Sequence, residues 1–337
     1  MKVVLAGCGA MSQTWLKTAN SLNLEMVGFV DIYEEAARNR AVSSGWPQAR
    51  IGTDLAKMLA ETKPDLVFDC TVPQAHPEVT LTALAHGCHV LGEKPMAINL
   101  EKAREMVAAA QKAGKIYAVI QNRRYDPNVR RLKEFMRSGA LGPLTTLNSD
   151  FYLGAHFDGF RLTMPHVLLV DMAIHTFDTA RFISGADPVS VYCKEWNPAG
   201  SWYARDASAV AIFEMSNGLV YTYRGSWCAE GLNTTWESDW RIIGQKGSLK
   251  WDGGQGFAAQ TVAKQGGFIS ELNNIEVPEI ASSGKESGHA SIIAEMVECI
   301  QTGRTPETVC SDNIKSLAMV LAAVESAEKG RQVEVKW

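Results

Sequence analysis

The chain has 337 residues, 46% of them hydrophobic and 21% charged, with a formal net charge of -4. That length suits two domains better than one core, and the composition is that of a folded globular protein rather than a disordered one. The slight acidic surplus, with no basic stripe, argues against nucleic-acid binding, and no apolar run approaches the ~20 residues that span a bilayer.

Leu5-Ala6-Gly7-Cys8 has the outline of a lipoprotein cleavage site. Only Lys2 supplies charge ahead of it, however, and the apolar stretch falls short of the ~7–15 residues of a signal-peptide core. It reads as a first strand, and the protein is expected to stay in the cytoplasm. The seven cysteines fit that reading: the count is odd, no C-x-x-C occurs, and most lie in apolar runs. Buried reduced thiols are expected, not disulfides or a zinc site.

The run from Lys2 to Ala6 ends in Gly7-Cys8-Gly9-Ala10-Met11-Ser12. A helical pattern follows, with Met11, Trp15, Leu16, Ala19 and Leu22 on one face. The next apolar run, Leu24 to Val30, ends in Asp31. Strand, glycine turn, helix, strand and acid is the dinucleotide-binding order. Gly7 allows the tight turn, and Gly9 lets backbone N–H groups approach a pyrophosphate at the helix N-terminus. Ser12 occupies the third glycine position. A carboxylate at Asp31 accepts ribose hydroxyls and repels a 2′-phosphate, so NAD is favoured over NADP; Arg38 and Arg40 are read as solvent-facing.

Alternation continues through a strand near Ile51, a strand from Leu66 to Cys70, a loop running from Val72 to Pro77, and the strand ending in Gly92-Glu93-Lys94-Pro95. Lys94 falls just past the carboxyl end of a strand, where ligands bind in open parallel sheets. The bond before Pro95 is the kind that readily goes cis. The strand from Ile116 to Ile120 ends in Gln121, completing six strand candidates of a doubly wound α/β domain, residues 1–121. His76, at a helix start, either touches a ligand or simply caps and packs.

Beyond residue 121 the texture changes. A helix over 127–138 precedes long strands at 144–153, 189–196, 207–215, 219–228, 240–244 and 248–251, with hairpin signals at Ser216-Asn217-Gly218 and Gln245-Lys246-Gly247. Helices are expected over 167–184, 286–302 and 312–330. Residues 122–337 thus read as an α+β domain with a large, mostly antiparallel open sheet. Such a sheet suits self-association, so a homodimer or homotetramer is expected.

Asp171 and His175, at i and i+4, share a helix face in an α-helix. A carboxylate there can orient an imidazole and raise its basicity, as a general base requires. A surface acid–base pair and a buried, satisfied histidine are the plainer readings. No third group nearby completes a metal site, so none is expected. Tyr152, His156 and His166 lie in a polar stretch around the same place, and Trp202, Tyr203, Trp227, Trp236 and Trp240 either wall a sugar ring or form core.

G-C-G-A-M-S, the strand end at Asp31, G-E-K-P, R-R-Y-D-P and D-M-A-I-H together resemble the glucose-fructose oxidoreductase / inositol dehydrogenase / MocA family, over nearly the whole length. The resemblance implies an N-terminal Rossmann domain, a C-terminal open sheet, and NAD in a cleft between them. It implies a sugar, cyclitol or related polyol as substrate, with Lys94 on the reacting hydroxyl, His175 as proton acceptor and Asp171 in support. The cofactor set becomes Gly7, Gly9, Ala10, Met11, Asp31, Thr71, Pro73, His76, Glu93, Lys94 and Gln121. Arg124, Tyr152, His156 and His166 become substrate candidates. The chain departs from the family at Met164-Pro165-His166-Val167, where a glycine-rich run is common. An NAD-retaining, redox-assisted glycosidase and a non-catalytic NAD-binding sensor share these features.

Overall fold

The structure, a computed structural model, describes all 337 residues. The chain forms two compact units, Met1–Tyr125 with Ser287–Leu317 and Trp337, and Asp126–Glu286 with Ala318–Lys336.

In the first unit, strands and helices alternate: β1 (Lys2–Ala6), α1 (Ser12–Ser21), β2 (Glu25–Val30), α2 (Glu34–Ser43), β3 (Arg50–Gly52), α3 (Leu55–Thr62), β4 (Leu66–Asp69), α4 (His76–Ala85), β5 (His89–Gly92), α5 (Leu100–Ala113) and β6 (Tyr117–Val119). The six strands form one parallel sheet in the order β3-β2-β1-β4-β5-β6, the doubly wound arrangement. The strands read as continuous apolar runs because helices cover both faces. Trp15 of α1 packs edge-on against Phe68 of β4, with ring centroids 5.0 Å apart, and both are fully buried.

Register decides where the loops emerge. Val30, Ala6, Asp69, Gly92 and Val119 lie in one row across the sheet. The residues just past that row are Asp31, Gly7, Cys70, Glu93 and Ile120, so the glycine turn, the acid and the G-E-K-P loop share one edge.

The second unit holds α6 (Pro127–Arg137), β7 (Leu144–Tyr152), α7 (Ile174–Ser184), β8 (Pro188–Trp196), β9 (Ser208–Met215), β10 (Val220–Ser226), β11 (Asp239–Gly244), β12 (Gly247–Trp251), β13 (Phe257–Lys264) and β14 (Glu271–Ile275). After α8 (His289–Thr302) and α9 (Cys310–Lys329), β15 (Val333–Glu334) completes a nine-stranded sheet in the order β14-β13-β12-β11-β7-β10-β9-β8-β15. Both expected hairpins form, β9 with β10 and β11 with β12, and every pairing is antiparallel except β7 with β10. Phe177 of α7 anchors that helix to one face of the sheet, edge-on to Phe213 at 4.9 Å and Tyr223 at 5.2 Å.

Two expectations change. The helix expected over 167–184 begins as a π-helix, Leu168–Ala173, and becomes α-helical only from Ile174. The second domain is not one continuous stretch from residue 122, because Ser287–Leu317 folds back onto the first unit. The cause is apolar burial: Ile292, Ile293 and Met296 of α8 join the core built by Trp15, Leu16 and Phe68.

Candidate active site

The glycine turn is built to expose backbone N–H groups. Gly7 has φ +85°, and a Cβ there would lie 2.5 Å from the carbonyl carbon of Cys70, so only glycine lets the turn cross beneath the loop after β4. Gly9, Ala10 and Met11 are exposed at the start of α1, and a Cβ on Gly9 would meet nothing within 4 Å. The carbonyl oxygens of the turn are tied off. Ser12 Oγ donates to Gly9 O at 2.6 Å, while Arg40 donates from Nη2 to Gly9 O at 3.0 Å and from Nε to Cys8 O at 3.3 Å. The Gln13 and Thr14 N–H groups close the first turn on Ala10 O and Met11 O, at 3.2 and 3.1 Å, and the N–H groups of Gly9, Ala10 and Met11 are left to face an anion. Arg40 is therefore not solvent-facing as expected, whereas Arg38 is, paired to Glu34 on the surface.

Asp31 accepts the Cys8 N–H at Oδ2 (2.8 Å) and the Tyr33 N–H at Oδ1 (3.0 Å). Each oxygen keeps a further lone pair, enough for a pair of ribose hydroxyls. Burial, with the Asp31 charge adding to it, pushes the Cys8 thiol up to about 12, so this cysteine is an inert packing residue. These residues fit a dinucleotide without a 2′-phosphate: anion-facing amides, a fixed carboxylate, and an arginine committed to carbonyls.

At the neighbouring strand end the Lys94–Pro95 bond is cis. Lys94 is half-buried. Glu93, 9% exposed, accepts the Trp15 indole N–H at 2.8 Å and so locks the base of the loop to α1. His289, at the start of α8, comes within 3.9 Å of Glu93. Burial lowers its pKa; Glu93 opposes that shift, while the charges of Lys94 and Arg123 reinforce it. The imidazole is thus held toward its neutral form beside Lys94. Nothing in the sequence near residue 289 signals this, because the contact depends on α8 returning to the first unit.

Other expected ligand residues turn out to be braces. His76 is 1% exposed, its ring nitrogens facing Pro95 O at 2.9 Å and Thr71 O at 3.1 Å. It supports the two loops rather than presenting itself to a cofactor. Gln121 is fully buried and accepts from Asn313 Nδ2 at 3.3 Å. Arg124 is 5% exposed, ion-paired to Asp312 at 2.7 Å and donating to Glu307 O at 3.0 Å, so its cation is used within the fold. The Thr71 hydroxyl and N–H both donate to Asp69 Oδ1, at 2.5 and 3.1 Å, and Pro73 is half-buried in the same loop.

In the second unit, Asp171 rides on the π turn and His175, 8% exposed, lies in the first turn of α7. A π turn closes i→i+5 bonds, so the simple i, i+4 face expected of an α-helix does not apply across it. Asp171 is gripped at two points by Arg161, Nε to Oδ2 at 2.6 Å and Nη2 to Oδ1 at 3.2 Å. That guanidinium lies over the rings of Phe157 and Phe160. His156 stacks on Trp202 with ring centroids 3.9 Å apart and bonds Glu230 at 2.9 Å. Tyr152, half-buried at the end of β7, has its phenol pushed up by burial. His166 turns instead to Glu195, with Nδ1 donating to Oε2 at 2.6 Å.

Comparison with known proteins settles the ancestry. The oxidoreductase family with an NAD-binding Rossmann fold matches residues 1–121, and the GFO/IDH/MocA C-terminal domain matches residues 129–250. The chain belongs to the GFO/IDH/MocA family of oxidoreductases. Among GFO/IDH/MocA relatives, a D-apiose dehydrogenase of Paraburkholderia graminis is 26% identical, covering 99% of this chain and 90% of its own. A 1,5-anhydro-D-fructose reductase of Ensifer adhaerens is 25% identical, over 98% of each chain. An oxidoreductase of Agrobacterium radiobacter, solved with NAD+, L-tartaric acid and magnesium, shares the fold at a TM-score of 0.85 and 23% identity, covering 99% of this chain and 98% of its own.

Proposed function

We propose that this protein is an NAD-dependent dehydrogenase acting on a secondary hydroxyl of a sugar, cyclitol or related polyol. The observation that carries the reading is the single sheet edge that presents the anion-facing glycine turn, Asp31 and Lys94 together. The relatives named above, an apiose dehydrogenase and an anhydrofructose reductase, support the substrate class.

When bound, NAD supplies the acceptor for the hydride. The amides at Gly9, Ala10 and Met11 hold the pyrophosphate, and Asp31 holds the ribose. Lys94 contacts the alcohol oxygen and stabilises negative charge developing there, while His175 takes the proton. Arg161 holds Asp171 oriented on the turn that leads to His175. Tyr152 and His156 contribute polar contacts to substrate.

The protein works as a homodimer or homotetramer through the open face of its sheet. Tyr192, Trp196, Ile212 and Val220 stand exposed on that face, at 45%, 41%, 44% and 38%, a set of large apolar side chains suited to an interface. A cytoplasmic setting suits seven cysteines that form no disulfide; no helix is long and apolar enough to cross a membrane.

A panel of sugars, inositols and sugar acids tested with NAD and NADP, followed by the absorbance of the reduced cofactor, tests the reading. Sustained NADH formation with at least one free polyol, and weaker activity with NADP, is expected. Cleavage of glycosides with no net NADH would instead assign the redox-assisted glycosidase chemistry.

A further inference from the structure

His166, Glu195 and Asp206 converge from three separate segments of the second unit. Each offers one ligand atom, and those atoms all lie within 4.8 Å of one another. Glu328 of α9 adds a fourth group, its Oε1 3.5 Å from His166 Nε2.

Glu195 is the unusual member. In β8, Val191, Cys193 and Glu195 alternate onto the inward face, so a carboxylate occupies a position that the strand's period assigns to core. It is 8% exposed. Its Oε2 accepts the His166 N–H, but the buried Oε1 has no hydrogen-bond partner. A buried carboxylate oxygen with no donor is costly unless a cation neutralises it. Three carboxylates face one imidazole here, an excess of negative charge that a single proton on His166 does not balance. The backbone of His166 also lies in the left-handed region, φ +52°, a conformation that non-glycine residues seldom adopt.

We propose that His166, through Nδ1, with Glu195 and Asp206, binds one divalent cation of the borderline class, Zn2+, while Glu328 accepts the N–H at the other ring nitrogen. One imidazole nitrogen with carboxylate oxygens from Glu195 and Asp206 matches the donor preference of Zn2+ and is poorer for the harder, oxygen-preferring Ca2+, Mg2+ and Mn2+. Binding replaces the proton shared between His166 and Glu195, which leaves to solvent, so affinity rises with pH. His166 lies two residues before the π turn that carries Asp171. The cation ties the entry of that turn to β8 and to the loop that carries Asp206, a structural role separate from hydride transfer.

The full-length chain, stripped with a chelator and then incubated with Zn2+, or with Mn2+ as the harder control, is passed through gel filtration and assayed for retained metal; Co2+ serves as a spectroscopic probe. One equivalent of Zn2+ retained per chain is expected, with a visible Co2+ spectrum that Zn2+ abolishes. Glu195→Gln and Asp206→Asn should each weaken binding at least about tenfold. Asp206 lies in a half-buried loop, so its variant tests the site even where the Glu195 variant folds poorly. No retained metal in the wild-type chain, leaving only a histidine–glutamate ion pair, would overturn the proposal. So would equal retention by both variants, which would move the metal to another site.

Discussion

Asp69 is a carboxyl with no solvent exposure at the row where β1, β4 and β5 end. Burial raises its pKa from the ordinary 3.8; His76 and the Thr71 hydrogen bonds oppose the shift, and Glu93 adds to it. A folded-state pKa above the unfolded one means the group favours folding most at low pH, and that contribution is lost as pH rises through the folded value. Asp69→Asn keeps an acceptor for Thr71 and cannot ionise. Its Tm relative to wild type should therefore climb as pH rises above about 4, the unfolded carboxyl's range, and level off once the folded-state carboxyl has ionised; parallel Tm curves would show that Asp69 carries no such penalty. At this scale the sequence was a partial guide. The placement of Gly7, Asp31 and Lys94 on one sheet edge was legible because each lies next to a strand end. His76, Gln121 and Arg124 were not, because their partners Pro95, Asn313 and Asp312 lie 19 to 192 residues away.

The glycine turn separates folding from binding within three residues. A Cβ at Gly7 meets the Cys70 backbone and forces a residue with φ +85°. Gly7→Ala should therefore cost well over ~1 kcal/mol and lower Tm by several degrees. Gly9 has open space around its Cβ position, so Gly9→Ala should melt like wild type yet bind NAD at least about tenfold more weakly, since the added methyl occupies the approach to the amides. Calorimetry on both variants checks the pair; a Gly9 variant with unchanged NAD affinity would remove the pyrophosphate from this turn. Elements with strong periodicity, β1 to β6 and the two hairpins, could be read directly from the chain. The π turn could not, since an extra residue per turn leaves the apolar spacing of 168–184 looking α-helical. β13 and β14 were missed because their side chains are largely exposed and show no clean alternation.

At the scale of the whole molecule, the return of α8 and the cluster at His166 depend on non-local packing that no local pattern encodes. The open sheet face is different, since β8 to β10 alternate visibly and leave one apolar row outward. If the proposed association uses this face, replacing Ile212, which pairs with Tyr192 and Thr222, by Glu should give a monomer in light scattering while far-ultraviolet circular dichroism stays unchanged. An oligomer that survives this change would mean another surface joins the subunits. The central claim is that Lys94 acts on the substrate alcohol while its neighbours on the sheet edge hold the cofactor. It is tested most directly by measuring NAD affinity and polyol turnover on one preparation of Lys94→Ala. NAD affinity within about threefold of wild type, with kcat lower by roughly 10²–10⁴, is expected. Wild-type turnover in that variant, or loss of NAD binding in step with activity, would contradict it.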